Sequence, residues 1–177
     1  AMTGALLRID VRGRGDLSLR DKWEAGPRTY LGLATTSFPN LFLITGPGSP
    51  SVLANMILGV EHHVDWIADC IAHVRRNGKT MIEAAKGAED AWVKHVNDLA
   101  DMTLFPLANS WYVGANIPGK PRIFMPYVAG LRTYRQKCAE IVANGYEGFD
   151  LTSSPDHISE MQSAQSGAPN EVDLPCG

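Results

Sequence analysis

Several features that mark common classes of protein are missing from this sequence of 177 residues. Its three cysteines, Cys70, Cys138 and Cys176, are far apart and form no CxxC pair, so neither a zinc site nor a disulfide framework is indicated. No apolar run approaches the roughly 20 residues that span a bilayer, and we expect no signal peptide before the first predicted strand. A net charge of −3 gives no general attraction to nucleic acid. These absences favour a cytoplasmic globular protein with neither a membrane nor a nucleic acid as partner.

The sequence is organised around the stretch Asn40–Met56, NLFLITGPGSPSVLANM. The apolar run 41–44 predicts a buried strand at 41–45 that ends at Gly46–Gly48, after which Ser49 fits a helix N-cap and Pro50 the first helical position. A strand, a glycine turn and a helix N-terminus together are typical of cofactor sites, because the helix offers free N–H groups and partial positive charge. The turn lacks the GxGxxG spacing of a dinucleotide fingerprint, and a lone Gly-Pro-Gly turn is more often structural than ligand-binding.

Hydrophobic periodicity and turn residues predict an α/β chain. Long helices are predicted at about 51–76, 80–103 and 128–143, the second with a capping box formed by Thr80 and Glu83. A short helix is predicted within 17–25, and strands or extended segments at 7–11, 41–45, 123–127 and 146–151. In the first long helix we expect one apolar stripe to be buried, made of Val52, Met56, Val60, Val64, Ile67, Ile71 and Val74.

Two segments fall outside these elements. The long loop 106–122, rich in proline, glycine and asparagine, has the length and composition of a functional loop. Residues 152–177 are dominated by serine, proline, glycine, glutamine and acidic residues, which predicts a disordered tail.

Few side chains point to chemistry by their pattern alone. His62-His63 begins an HHxxD sequence that is not a metalloprotease motif, and a surface or partly buried pair is favoured over a metal site. Trp111 and Tyr112 in the long loop fit either a hydrophobic latch or a ligand contact through stacking and the indole N–H. Lys120 and Arg122 could bind an anionic group or form a solvated pair.

Three stretches resemble the type I Baeyer–Villiger monooxygenases: Gly26–Met56, SWYVGANIPGKPR at Ser110–Arg122, and GYEGF at Gly145–Phe149. The resemblance covers about residues 1–151 in the family's order and spacing. It implies the C-terminal part of a two-dinucleotide-binding-domain flavoprotein, in which 1–151 form the end of the FAD-binding domain, with a flavin-facing helix and an NADP-covering loop at 106–122. Neither GxGxxG fingerprint nor the family's FxGxxxHxxxW signature occurs, so no catalytic residue is assigned to this chain, and alone it is expected to be inactive.

The same resemblance implies the chemistry and the site residues. In the family, NADPH reduces FAD, O2 forms a C4a-peroxyflavin, and a ketone becomes an ester or lactone. Ser51, Val52 and Leu53 would line the substrate pocket, Met56 would lie at the pyrimidine edge of the flavin, and Trp111 would hydrogen-bond the NADP ribose. The implied partners are a ketone, O2 and the remainder of the FAD and NADP domains; no metal ligand is implied.

Two other interpretations remain open from the sequence. One is a related flavin-containing monooxygenase that oxygenates nitrogen or sulfur, which the upstream signature would discriminate. The other is a truncated, non-catalytic helical interaction module, whose apolar helix faces would be exposed unless an oligomer covered them.

Overall fold

The computed structural model describes residues 3–51, 54–107, 113 and 123–153. They form helices α1 (Leu19–Lys22), α2 (Met56–Arg76), α3 (Lys86–Asp101) and α4 (Gly130–Ala143), and strands β1 (Met81–Ala84) and β2 (Phe149–Thr152). Short 3-10 helices lie at Leu6–Arg8, Arg14–Asp16 and Phe105–Leu107. This mixture of helix and strand confirms the predicted class. None of the helices in the described part combines the length and apolar character that a bilayer crossing requires.

The two strands pair in antiparallel register, with Ile82 opposite Leu151 and Ala84 opposite Phe149. Ile82, Ala84 and Phe149 are buried, so one face of this ribbon packs on the core. The predicted extended segment at 146–151 therefore contains a strand, although it begins at Phe149 and ends at Thr152. Thr152, predicted as the first residue of the tail, belongs to β2, while residues 154–177 lie outside the described residues.

The predicted strands at 7–11 and 41–45 are wrong. The first range begins in the 3-10 helix Leu6–Arg8 and forms no strand. The second crosses the core with Leu43 buried, its N–H donating to the Leu33 carbonyl at 2.8 Å. Asn40, just before this segment, has a φ of 59°, and Thr45, its last residue, has a φ of 53°. These left-handed residues turn the backbone at both ends, so the apolar run cannot continue as a regular strand.

The predicted strand at 123–127 is also wrong. Among the described residues, this segment makes two backbone hydrogen bonds to the segment around Gly48. Met125 accepts from the Gly48 N–H at 2.7 Å, and the Tyr127 N–H donates to Ser49 at 3.0 Å. Pro126 stands between them and has no N–H to extend a ladder.

The predicted helix 80–103 is divided into strand β1 and helix α3. The expected capping box is wrong, because Glu83 lies within β1 and its carboxylate accepts from the Ser37 N–H at 2.6 Å. Pairing with β2 takes the backbone N–H and C=O groups that a first helical turn would need. The part of the prediction that holds is the buried stripe carrying Trp92 and Val96 on α3.

Helix α2 begins five residues later than predicted, at Met56, and ends at Arg76 as expected. Its N-cap is Asn55 rather than Ser49, and the Asn55 carboxamide oxygen accepts from the N–H groups of Ile57 and Leu58. The buried stripe also differs from the prediction: it consists of Gly59, His63, Trp66, Cys70 and Val74. Val60, Val64 and Ile71, expected inside, are 37–47% exposed.

The main core lies where α2, α3, α4 and the β-ribbon meet. Aromatic rings fill much of it: Tyr30, Trp66, Trp92, Tyr127, Tyr134, Tyr146 and Phe149. Helix α4 begins two residues after its predicted start and contributes Tyr134 and Cys138 to this core. The core touches the residues that follow Thr45, because the indole N–H of Trp92 donates to the Gly48 carbonyl.

Candidate functional site

The GPG turn (Gly46–Ser51) connects the core segment to the residues before α2. Within it, both the N–H and the hydroxyl of Ser49 donate to the Gly46 carbonyl, at 3.1 and 2.7 Å. Ser49 is therefore buried as part of the turn and does not cap a helix. The turn ends at Ser51, whose carbonyl accepts from the Ala54 N–H at 2.7 Å.

Three distant parts of the chain hold this turn. The Thr29 hydroxyl donates to the Pro47 carbonyl at 2.5 Å, and the Trp92 indole N–H donates to the Gly48 carbonyl at 3.1 Å. The Gly48 N–H donates in turn to Met125 at 2.7 Å. Because these bonds come from outside the turn, its backbone position is fixed by the tertiary fold.

Two glycines allow the GPG turn to lie against a second segment. A Cβ added to Gly46 would meet the Gly32 carbonyl oxygen at 2.5 Å, and a Cβ on Gly32 would meet the Ser49 nitrogen at 2.7 Å. Gly32 also has a φ of +70°, a conformation that residues with side chains rarely adopt. Glycine at both positions is therefore required for this close approach.

Ser51, a predicted pocket residue, is buried with 2% of its surface exposed. Its hydroxyl has no hydrogen-bond partner among the described residues. A buried hydroxyl without a partner is uncommon in folded proteins. The other two predicted pocket residues, Val52 and Leu53, lie outside the described residues.

Met56, the predicted flavin contact, is the first residue of α2. The Asn55 side chain occupies the N–H groups of Ile57 and Leu58, and the Asn55 carbonyl accepts from Gly59. No acceptor for the Met56 N–H lies among the described residues. This N–H is therefore available to an external acceptor, with the partial positive charge of a helix of 21 residues behind it.

The predicted cofactor contact Trp111 lies outside the described residues, as do Tyr112, Lys120 and Arg122. Within 108–122 the structure describes Val113, which is buried with Ala100 and Phe124 in a small apolar cluster. Val113 is thus packed against the C-terminal end of α3.

The two histidines have different environments. His62 is half-buried, and burial and the nearby Arg135 lower its pKa. His63 is fully buried, and its two ring nitrogens contact the Thr45 N–H and the Tyr134 hydroxyl. Burial, with a smaller contribution from His62, lowers the His63 pKa to about 4. In the described residues, no group of three or more metal-ligating side chains comes together.

One buried carboxylate was not predicted from the sequence. Glu89 on α3 is 1% exposed and accepts from the Lys22 ammonium at 2.9 Å, the Thr35 hydroxyl at 2.8 Å and the Thr36 N–H at 3.0 Å. The Arg28 guanidinium lies 3.7 Å away. A glutamate on the apolar side of α3, between Ala88 and Trp92, was the signal that could have indicated it.

The described residues of the site bind and orient; they supply no obvious nucleophile. Burial raises the pKa of the Cys70 and Cys138 thiols to about 12, so both are neutral thiols at physiological pH. Burial also raises the pKa of Tyr134 well above its usual value. What remains is a rigid turn with an unpartnered hydroxyl, next to a helix N-terminus that favours negative charge.

No family model matches the chain, but curated proteins do. An acetone monooxygenase (methyl acetate-forming) from Gordonia sp. is 45% identical over 153 residues, covering 86% of this chain and 29% of that protein. A Baeyer–Villiger monooxygenase from Pseudooceanicola batsensis is 43% identical, covering 82% and 26%. A phenazine N-monooxygenase from Lysobacter antibioticus is 38% identical, covering 86% and 28%. The chain therefore spans less than a third of the length of these relatives.

Solved structures agree with these relatives. An oxidized steroid monooxygenase bound to NADP matches with a TM-score of 0.80 and 46% identity, over 87% of this chain and 28% of that one. The enzyme OTEMO in complex with FAD and NADP matches with a TM-score of 0.78 and 36% identity, over 86% and 28%. The matched region is the C-terminal part of these flavin monooxygenases. Together, these matches place the chain in the family of the Baeyer–Villiger monooxygenases.

Proposed function

We propose that this chain is the C-terminal part of an FAD- and NADPH-dependent monooxygenase that converts ketones to esters or lactones with O2. The observation that carries the proposal is the 45% identity to a monooxygenase whose name specifies the conversion of acetone to methyl acetate. That conversion inserts one oxygen atom between a carbonyl carbon and its neighbour. We further propose a cytoplasmic location, to which the free thiols Cys70 and Cys138 are suited.

In this proposal the GPG turn forms one wall of the substrate pocket. Ser51, Val52 and Leu53 line the pocket, and the fixed backbone of the turn keeps this wall in place while different ketones bind. The buried, unpartnered Ser51 hydroxyl supports this role, because a polar substrate atom would give it the missing hydrogen bond.

The N-terminus of α2 suits the pyrimidine edge of a flavin. FAD, when bound, supplies the redox chemistry, and the reduced ring carries negative charge at this edge. The Met56 N–H would donate to it, and the helix end would stabilise the charge by about 0.3–2 kcal/mol. The Met56 N–H, which has no acceptor among the described residues, lies beside the capped Ile57 and Leu58 and supports this fit.

The remaining parts of the proposal concern the ends of the chain and its long loop. Residues 1–151 form the C-terminal portion of the FAD-binding domain, with 152–177 as a tail. Trp111 in the loop 106–122 hydrogen-bonds the NADP ribose when the loop closes over the cofactor. The rest of the FAD and NADP domains complete the site, and the isolated chain does not oxygenate ketones.

The full-length protein that carries this chain tests the proposal. With NADPH, 18O2 and a small ketone, we expect an ester or lactone containing one labelled oxygen, detected by mass spectrometry. The isolated chain, purified in parallel, should carry no stoichiometric flavin absorbance. A full-length protein that is loaded with FAD and oxidises NADPH, yet labels no ketone of a panel of linear and cyclic ketones, would contradict the proposed reaction.

A second candidate is N-oxygenation, which the 38% identity to a phenazine N-monooxygenase favours. The same 18O2 assay with an aromatic N-heterocycle in place of the ketone separates the two reactions. A labelled N-oxide without any labelled ester would replace the first proposal by the second. If the protein were instead a non-catalytic helical module, it would elute as an oligomer, without flavin, in size-exclusion chromatography.

A further inference from the structure

Two residues with side chains adopt the left-handed conformation on the two segments that meet at the GPG turn. Leu31 has a φ of 59° and precedes Gly32, and Thr45 has a φ of 53° and precedes Gly46. The two glycines lie against each other in the close contact described above. A left-handed conformation is unfavourable for leucine and even more so for β-branched threonine, so other contacts must maintain it at both positions.

One buried pair of side chains holds both strained residues. The Tyr134 hydroxyl donates to the Leu31 carbonyl at 2.6 Å, and the Thr45 N–H donates to His63 Nδ1 at 2.8 Å. His63 Nε2 and the Tyr134 oxygen are 2.9 Å apart and join the two halves of the network. Both side chains are almost completely buried, with 1% and 0% of their surfaces exposed.

The hydrogen bonds assign the tautomer of His63. Because the Tyr134 O–H is used on the Leu31 carbonyl, the hydrogen between the two rings belongs to His63 Nε2, which donates to the Tyr134 oxygen. His63 Nδ1 then carries the lone pair that accepts from Thr45. Each ring nitrogen has a partner, and the neutral histidine fits this position without an unpaired polar atom.

We propose that His63 and Tyr134 are positioning residues that set the spacing of the Leu31–Gly32 and Thr45–Gly46 segments and thereby the pocket wall at Ser51. The inference rests on the proposed function of the GPG turn. The pair lies behind the wall, on helices α2 and α4, and joins the two helices to the two segments. It acts through the backbone and does not touch the substrate.

Two substitutions of His63 separate the roles of its nitrogens. In His63→Asn the carboxamide oxygen lies near the place of Nδ1 and can still accept from Thr45, whereas in His63→Gln the polar atoms are one bond further out, near Nε2. Tyr134→Phe removes the hydroxyl and keeps the ring. The matched control is Tyr30→Phe, which also deletes a tyrosine hydroxyl bonded to a backbone carbonyl, that of Glu147 just before β2.

The full-length protein is used for two measurements, so that the inference and the proposed function can fail separately. Hydrogen exchange of the peptide 41–48 reports whether the Thr45 N–H is held, whatever reaction the protein catalyses. The KM for a ketone and the fraction of NADPH oxidised without product report on the pocket wall. If the parent protein oxygenates no ketone, the proposed function fails, while the exchange result still stands.

We expect His63→Gln and Tyr134→Phe to accelerate exchange in this peptide and to raise the ketone KM about threefold to tenfold, with more uncoupled NADPH oxidation. His63→Asn should retain slow exchange at Thr45 and a KM closer to the parent's. Tyr30→Phe should lower the melting temperature without changing either reading.

Three results would overturn the inference. They are equal effects of His63→Asn and His63→Gln, unchanged exchange and KM in Tyr134→Phe, or a rise of the ketone KM in Tyr30→Phe as large as in Tyr134→Phe. If neither His63 variant folds, Tyr134→Phe compared with Tyr30→Phe decides by the same two readings.

Discussion

The inner and outer faces of α2 are both apolar, yet in the described part of the chain only the inner one is buried. The inner face, which carries His63, Trp66, Cys70 and Val74, packs on the aromatic core and on the segment leading to the GPG turn. On the outer face Ile57, Val60, Val64 and Ile71 are exposed. Helical periodicity therefore does not identify the buried face of α2. The partners of polar atoms do, because both ring nitrogens of His63 are bonded to buried protein groups, the Thr45 N–H and the Tyr134 hydroxyl.

The two faces of α2 also differ in their relation to the proposed site. The inner face leads through His63 and Thr45 to the turn that we propose as a pocket wall, whereas the side chains of the outer face are 37–71% exposed. The relatives are more than three times as long as the aligned region. An exposed apolar stripe of this kind is a surface on which a further part of such a protein could pack.

The largest effect on stability is expected at the buried carboxylate of Glu89 on α3. Glu89→Ala removes the acceptor of Lys22, Thr35 and Thr36, and leaves the mostly buried ammonium of Lys22 unpaired. Removing one partner of a buried ion pair costs about 3–5 kcal/mol, which urea denaturation would measure. As a control, Asp98→Ala breaks an exposed i,i+4 pair with Lys94 and should be almost neutral. Equal midpoints for the two variants would refute a structural role for Glu89.

The two faces of α2 can be compared directly with the same substitution. Val74→Ala deletes two buried methyl groups and should cost about 2 kcal/mol, including the cavity left behind. Val64→Ala on the outer face should stay within about 0.5 kcal/mol in the isolated chain. Chemical denaturation of both variants in the full-length protein then sharpens the comparison. If Val64→Ala becomes as costly there as Val74→Ala, the outer face is covered in the longer protein.

His63 should make the inner face sensitive to acid. Its pKa is about 4 in the folded chain and about 6.5 in the unfolded one. Above pH 6.5 the His63 ring is neutral in the folded and the unfolded state, and its full contribution to stability is present. Between pH 6.5 and 4 only the unfolded state takes up the proton, so the stability falls as the pH falls. From pH 7.5 to 5 the loss is about 2 kcal/mol.

The measurement is the difference in the free energy of unfolding between the parent and His63→Asn, obtained by denaturation at several pH values. Because His62 and His95 titrate in both proteins, the difference isolates His63. If the two proteins lose stability in parallel as the pH falls, then His63 does not carry this pH dependence.

The sequence predicted the helices better than the strands, for physical reasons that particular residues illustrate. Helix ends carry local signals: Arg76, Asn77 and Gly78 end α2 where expected, with Gly78 left-handed. A strand depends on a distant partner. β1 forms because β2 is available, and the apolar run 41–45 is no strand, because its ends turn at Asn40 and Thr45.

The candidate site likewise combines residues that local sequence indicates with residues that depend on distant parts of the chain. The resemblance led to Ser51 and Met56, which lie beside each other in sequence at the GPG turn and the start of α2. The supports behind them, Thr29, Trp92 and the pair of His63 with Tyr134, come from distant parts of the chain. No local pattern in the sequence indicates that His63 and Tyr134, which are 71 positions apart, share a hydrogen bond.

The smallest effect on stability is expected at the proposed pocket wall, and it distinguishes a residue kept for binding from one kept for folding. Ser49 and Ser51 are both buried serines of the GPG turn. The Ser49 hydroxyl donates to Gly46, so Ser49→Ala should cost about 1 kcal/mol. The Ser51 hydroxyl has no partner among the described residues, so Ser51→Ala should leave the melting temperature unchanged or raise it slightly.

In the full-length protein, however, Ser51→Ala should change the ketone KM or the ratio of products from an unsymmetrical ketone, because a substrate atom loses its hydrogen bond. Denaturation and product analysis of both variants give the answer. If Ser51→Ala destabilises the protein as much as Ser49→Ala and leaves ketone turnover unchanged, the Ser51 hydroxyl has a structural partner and does not face the pocket.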